Sequence, residues 1–257
     1  MLSPEATDNL AIAVLFALPA ALIGWGLVLA LRSNFTPIQA VLVLLSKLMS
    51  RVLWRARYKG TLPIPPGQGA VIVCNHTSGV DPWFIQLACD RPVHWMVATE
   101  YYHHPAMNWF FRLAMSIPVN RGGVDTSATK LAIRLAETGH LVGLFPEGRI
   151  NLTDELLLPG RPGAALIALR ARVPVVPCYI SGAPHSESVP HTLVTPAKAT
   201  LVIGSPIDLT PYQTKDRENG VLKDLTLRFL REIAALAGRP DYEPKLAGRR
   251  WKPEEAE

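Results

Sequence analysis

Ala70-Val71-Ile72-Val73-Cys74-Asn75-His76-Thr77-Ser78-Gly79-Val80-Asp81-Pro82 carries the chain from one kind of structure to another. Its first five residues are an unbroken run of small and β-branched apolar side chains, the pattern of a strand buried on both faces. Asp81-Pro82 reads as an N-cap followed by proline at the first helical position, opening a helix to about Leu87. A buried strand that passes through a short polar turn into a helix is the unit of a layered α/β domain. The turn lies at the strand's C-terminal end, where such sheets place ligands.

Working outward, the alternation continues. Strand patterns occupy 93–97, 141–145, 173–180 and 199–203, and helical patterns occupy 106–115, 125–138 (ending at Gly139), 162–170 and 220–236. The expected fold is α/β, a mostly parallel central sheet flanked by helices, over 59–238. The polar, proline-bearing tail 239–257 is expected to be loosely ordered. The three cysteines, Cys74, Cys89 and Cys178, form no metal-ligand spacing and no disulfide framework.

Upstream, residues 10–31 run for 22 positions without a charge. As a helix they cover about 33 Å, enough for a hydrocarbon core of about 30 Å. The acidic start (Glu5, Asp8) and the long apolar run disfavour a cleaved signal peptide. A second segment, 38–54, is apolar with Lys47 and Arg51 on one helical face, as in a helix lying at a membrane interface; the plainer alternative is a core helix with two exposed cations. Residues 1–58 are thus expected to be a membrane-associated two-helix element, either crossing once or dipping into one leaflet. The chain of 257 residues has 26 Lys+Arg against 21 Asp+Glu. Only 18% of its residues are charged, against about 25% in ordinary soluble domains, and mean hydropathy is +0.18. The excess is local: Arg32, Lys47, Arg51, Arg55, Arg57 and Lys59 fall in a stretch with no acid between Asp8 and Asp81. Cations after the first helix place the remaining chain on the cytoplasmic face. Nothing in the composition points to nucleic acid.

His76 and Asp81, five apart across Ser78-Gly79, can fold together so that the carboxylate fixes the imidazole tautomer and leaves the other ring nitrogen as a general base. Taken alone, the pair reads equally well as a histidine satisfied at a strand end beside an N-cap. Three further blocks stand with it: Ile117-Pro118-Val119-Asn120-Arg121-Gly122-Gly123, Phe145-Pro146-Glu147-Gly148-Arg149-Ile150-Asn151, and Val173-Pro174-Val175-Val176-Pro177. In this order, over residues 70–180, the four blocks resemble the glycerolipid acyltransferase family of the 1-acylglycerol-3-phosphate (lysophosphatidic acid) acyltransferase type, with its N-H-x4-D motif.

That resemblance implies transfer of a fatty acyl group from acyl-CoA or acyl carrier protein to the hydroxyl of a lysophospholipid at a membrane, without metal or redox cofactor. His76 resembles the base and Asp81 its orienting partner. Arg121, Glu147, Gly148 and Arg149 resemble the blocks that hold the acceptor's glycerol phosphate, consistent with bidentate guanidinium–phosphate contacts. Two departures bear on the acceptor: Arg149 follows Gly148 directly, as in tafazzin-like transacylases, and Ser116 stands where Gly is usual. A CoA-independent phospholipid–lysophospholipid transacylase is therefore the nearest alternative, and a catalytically silent lipid-binding membrane protein the next. A Cys74 acyl-enzyme is the weaker reading beside a core cysteine. Tyr101 and Trp109 are open between core and acyl path. No G-x-S-x-G elbow supports a hydrolase.

Overall fold

The computed structural model describes residues 4–31, 35–120, 125–185, 189–215 and 220–248. Among these, seven strands form one sheet: β1 (Arg57–Lys59), β2 (Ala70–Cys74), β3 (Val93–Ala98), β4 (Ile117–Val119), β5 (Leu141–Leu144), β6 (Val175–Ser181) and β7 (Thr200–Ile203), in the order β1-β7-β6-β2-β5-β3-β4. Neighbours run parallel except β6 with β7. The expected α/β class and mostly parallel sheet are what is found.

β2 is central, and all five of its residues are buried. Its side chains alternate between two cores with the period of two that a strand imposes. Val71 and Val73 pack with α6 (Thr126–Glu137), α7 (Gly163–Ala171) and α9 (Val221–Leu236), through Ala132, Ile167 and Phe229. Ala70, Ile72 and Cys74 face Trp54 and, from α3 (Asp81–Leu87), Phe84 and Ile85. Covered on both faces, β2 has no polar side to show, which is why its sequence does not alternate.

The N-terminal segment forms α1 (Pro4–Leu31) and α2 (Pro37–Val52). Thr36 and Gln39 make a capping box that starts α2, and Gln39 Nε2 donates to Leu113 O (2.7 Å) at the end of α5 (Asn108–Leu113). The two long helices approach closely: a Cβ on Gly26 would lie 3.3 Å from Val41 Cγ2. Among the described residues, no helix is long and apolar enough to cross a membrane.

Two differences from the sequence reading have physical causes. β1 and β4, with α4 (Thr99–Tyr102) and α8 (Val189–Val194), are too short to show a period. β4 tolerates Pro118 because it is an edge strand. The tail is not loose over its described part: Gly160 N donates to Lys245 O (2.9 Å), Ala247 N to Gly160 O (2.9 Å), and Tyr242 Oη to Leu157 O (3.0 Å). Its polar composition hid one aromatic anchor. Tyr242→Phe removes that bond, costing about 1 kcal/mol and lowering the thermal midpoint by roughly 2–4 °C; a midpoint equal to wild type in differential scanning calorimetry contradicts the docking.

Candidate active site

β2 and β5 are parallel neighbours, so the loops leaving their C-terminal ends, 75–80 and 145–151, lie side by side. Asn75 clamps the first loop to β6: its Nδ2 donates to Ile180 O (2.8 Å) and its Oδ1 accepts from Ile180 N (2.7 Å). Beyond it the chain turns back on Asp81. One oxygen, Oδ2, accepts from Thr77 N (2.7 Å), Ser78 N (2.8 Å) and His76 Nδ1 (3.0 Å). Asp81 is therefore not the N-cap expected from the sequence. Val80 holds the cap position without a side-chain bond, and the Asp81 carboxylate serves the loop before the helix.

A carboxylate only accepts, so Nδ1 carries the proton and Nε2 is left with its lone pair. The His76 side chain is 14% exposed and that of Asp81 is 0% exposed. The ring can be reached; its partner cannot. Phe145 lies flat on the imidazole, centroids 3.8 Å apart and planes 8° apart, and Trp95 stacks behind Phe145 at 5.0 Å.

The backbone of His76 is held from the neighbouring loop. Its N–H donates to Glu147 Oε1 (2.8 Å), and its C=O accepts from Asn151 N (2.6 Å). The other oxygen of Glu147, Oε2, accepts from Leu158 N (2.7 Å). Glu147 is fully buried with both oxygens engaged by main chain. It positions His76 and Leu158, and the expected contact between Glu147 and an acceptor is not what this placement offers. Burial pushes its carboxyl up to about 8, against the two N–H donors that favour the ionised form and with the charge of Asp81 adding to the rise.

Gly148, at φ +74°, makes the turn that a side chain would resist, and Arg149 follows half-buried at the loop's edge. Arg121 lies outside the described residues. β4 ends two residues before it, and Asn120 N donates to Asp125 Oδ2 (3.0 Å). Cys74 is buried among apolar side chains, and burial, then the charges of Cys178, Asp81 and Glu147, push its thiol well above the usual range. That excludes a ready thiolate nucleophile. Among the described residues, no group of three or more His, Cys, Asp or Glu could hold a metal.

Beside the 75–80 loop lies an apolar cavity of about 130 Å³. Gly79, Val80 and Trp83 form one side, Leu42 and Val43 of α2 another, and Phe110 and Phe111 of α5 a third. Tyr101 and Trp109 are exposed and do not line it.

Known proteins resemble this chain in sequence and in fold. The family described as Acyltransferase matches residues 55–181. A 1-acyl-sn-glycerol-3-phosphate acyltransferase of Bacillus subtilis is 27% identical over 170 residues, 65% of this chain and 82% of that one. Drosophila melanogaster tafazzin is 29% identical over 163 residues, 58% of this chain and 43% of that one, so the chain matches less than half of tafazzin. The fold matches the crystal structure of the 1-acyl-sn-glycerophosphate (LPA) acyltransferase PlsC from Thermotoga maritima at a TM-score of 0.57, with 22% identity over 89% of this chain and 97% of that one. Residues 55–181 are an acyltransferase-family domain.

For an acyltransferase, the motif blocks quoted from the sequence prove to be partly structural. Phe145 supports the imidazole face, and Asn75 and Asn151 fix the backbone on either side of it. These roles carry no spacing signal, because they act through rings and main chain across two loops. Glu147 generates a pH prediction. Its proton is held more tightly in the folded chain (about 8) than at the ordinary 4.5. Its contribution to stability is therefore full below 4.5 and is lost as pH rises through 8. The stability difference between wild type and Glu147→Gln, followed by denaturant unfolding, falls across that window; a pH-independent difference contradicts it. The same variant lowers kcat more than it raises acceptor KM, because it shifts His76 and touches no substrate.

Proposed function

We propose that this acyltransferase moves a fatty acyl group from a thioester carrier, acyl-CoA or acyl carrier protein, to the free hydroxyl of lysophosphatidic acid, giving phosphatidic acid. The observation that carries the reading is the imidazole whose Nδ1 is fixed on buried Asp81 while the side chain stays partly exposed, in a loop whose Gly79 and Val80 line an apolar cavity. Binding alone has no use for an oriented base, so a silent lipid-binding protein is disfavoured.

His76 Nε2 takes the hydroxyl proton as the acceptor oxygen attacks the thioester carbonyl. The tetrahedral intermediate collapses with loss of the C–S bond, and the His76 imidazolium returns the proton to the departing thiolate. Arg149 and Arg121 are assigned to the acceptor phosphate, as guanidinium forks suit its oxygens. The acyl chain occupies the cavity between α2, α3 and α5.

Membrane attachment is part of this proposal. Leu15, Phe16 and Ile23 of α1 and Ile38, Leu45 and Leu48 of α2 are exposed apolar side chains on two adjacent helices. A patch of this kind is not left to water. Lys47 and Arg51 flank it on α2, suited to anionic headgroups on the cytoplasmic leaflet. The similarity to tafazzin favours one second reading, a transacylase that takes its acyl group from another phospholipid.

Mass spectrometry after supplying lysolipids with acyl-CoA, acyl carrier protein or intact phospholipid as donor separates the two. Thioester-dependent formation of phosphatidic acid is expected; transfer from phospholipid alone selects the transacylase. His76→Ala lowers kcat/KM by about 10²–10⁴. Asp81→Asn also loses at least tenfold, because the amide oxygen that can replace Oδ2 is a weaker acceptor and carries no charge to stabilise the imidazolium formed when His76 takes the proton. Full activity in His76→Ala rejects the mechanism.

A further inference from the structure

We infer that Arg55, Arg57 and Lys198 form the site for the phosphates of a coenzyme A donor. The inference rests on the thioester-donor reading above and adds where the donor's far end sits.

The three cations converge on one cleft, completed by Ala199 and Thr200. They are held there by backbone stitching. Ala197 N donates to Leu53 O (3.1 Å), Ala199 N to Trp54 O (3.0 Å), and Arg57 N to Ala199 O (2.9 Å). Arg55 lies at φ +42°, a left-handed backbone that a non-glycine residue adopts against its preference. All three side chains are exposed. The ion pairs among the described residues, His76–Asp81 and Arg91–Asp90, engage none of them. Three like charges brought together without a counter-charge make a locally positive field that a compact polyanion would relieve.

Sheet register locates the cleft relative to the base. Cys74 pairs with Cys178, Ser181 with Thr200, and Thr200 with Arg57. Ser181 is three residues beyond Cys178, so Arg57 stands level with residue 77, next to His76. β1 is the third strand from β2 on that side. At about 4.8 Å per strand the lateral separation is about 14 Å. The pantetheine arm between thioester sulfur and first phosphate is a chain with the reach of roughly four extended residues, about 14 Å. With the thioester at His76, the arm ends at the cleft.

The arrangement also separates the two anionic substrates. The 145–151 loop assigned to the acceptor follows β5, on the opposite side of β2 from β6, β7 and β1. Donor and acceptor phosphates therefore flank the base. A lipid headgroup is the other source of phosphate chemistry. Lys47 and Arg51, spaced along α2 beside its apolar stripe, suit that surface better than a single cleft does.

The test uses the full chain in detergent, with Arg55→Gln, Arg57→Gln and Lys198→Gln combined. Calorimetric titration with CoA, which needs no turnover, is expected to show affinity reduced roughly tenfold or more, and wild type is expected to bind dephospho-CoA less tightly than CoA. The acyl-CoA KM rises in parallel while the lysolipid KM does not. Arg55→Lys with Arg57→Lys keeps the charge and retains most of the affinity, which separates charge loss from misfolding. Unchanged CoA affinity in the triple variant overturns the inference, as does a loss confined to vesicles of anionic phospholipid. Wild type that binds CoA through these residues yet transfers no acyl group upholds the site and rejects the functional reading instead.

Discussion

One buried oxygen, Oδ2 of Asp81, accepts three hydrogen bonds, and the rest of the site is built around that convergence. Two of the donors are consecutive backbone N–H groups, so the loop closes on the carboxylate whether or not the imidazole is present. The third donor, His76 Nδ1, then meets a partner whose position is already set. The imidazole is oriented by a preorganised turn, which is the physical condition for efficient proton transfer in the mechanism proposed for it.

A second buried carboxylate extends this support into the body of the protein. Glu147 joins the main chain of His76 to that of Leu158. The adjacent Leu157 C=O receives Tyr242 Oη, and Gly160 is bonded to Lys245 and Ala247. Thus the C-terminal segment braces residues 157–160, whose Leu158 N–H donates to Glu147, and Glu147 holds the backbone of His76. The links are hydrogen bonds from two side chains, Glu147 and Tyr242, and from main chain to main chain at Gly160, so loosening one end changes where His76 sits. Distant changes in the tail would accordingly register in turnover before affinity.

Much of the fold was legible because burial on two faces leaves an unmistakable apolar run, as in 70–74, and because amphipathic helices such as α6 and α9 show their period. The short elements β1 and β4 were hidden, since three residues have no period. The pairing of His76 with Asp81 was legible because a five-residue spacing across Ser78-Gly79 lets the two side chains meet. Glu147 was found but its contacts were not, because a carboxylate that binds a hydroxyl and one that binds backbone N–H groups look the same in sequence. Phe145, Asn75 and Asn151 act across chain separations that no local pattern records. The described part of the tail was misjudged because composition weighs its polar residues and not the tyrosine that anchors it.

α2 presents three different faces along one short helix. Ile38, Val41, Leu45, Leu48 and Val52 recur every three or four residues and are exposed on one stripe. Leu42, Val43 and Ser46 fall on another stripe and line the cavity that continues past α3 toward the His76 loop. Lys47 and Arg51 occupy the remaining arc. A helix with an apolar outer face, an apolar inner face and a cationic flank satisfies neither a water-facing nor a core position. Under the membrane attachment proposed above it would suit a wall between lipid and cavity, across which an acyl chain exchanges one apolar surrounding for another at little cost in hydrophobic free energy. Gln39 ties this same helix to the end of α5, so the two opposite walls of the cavity are held to each other by a side chain as well as by packing.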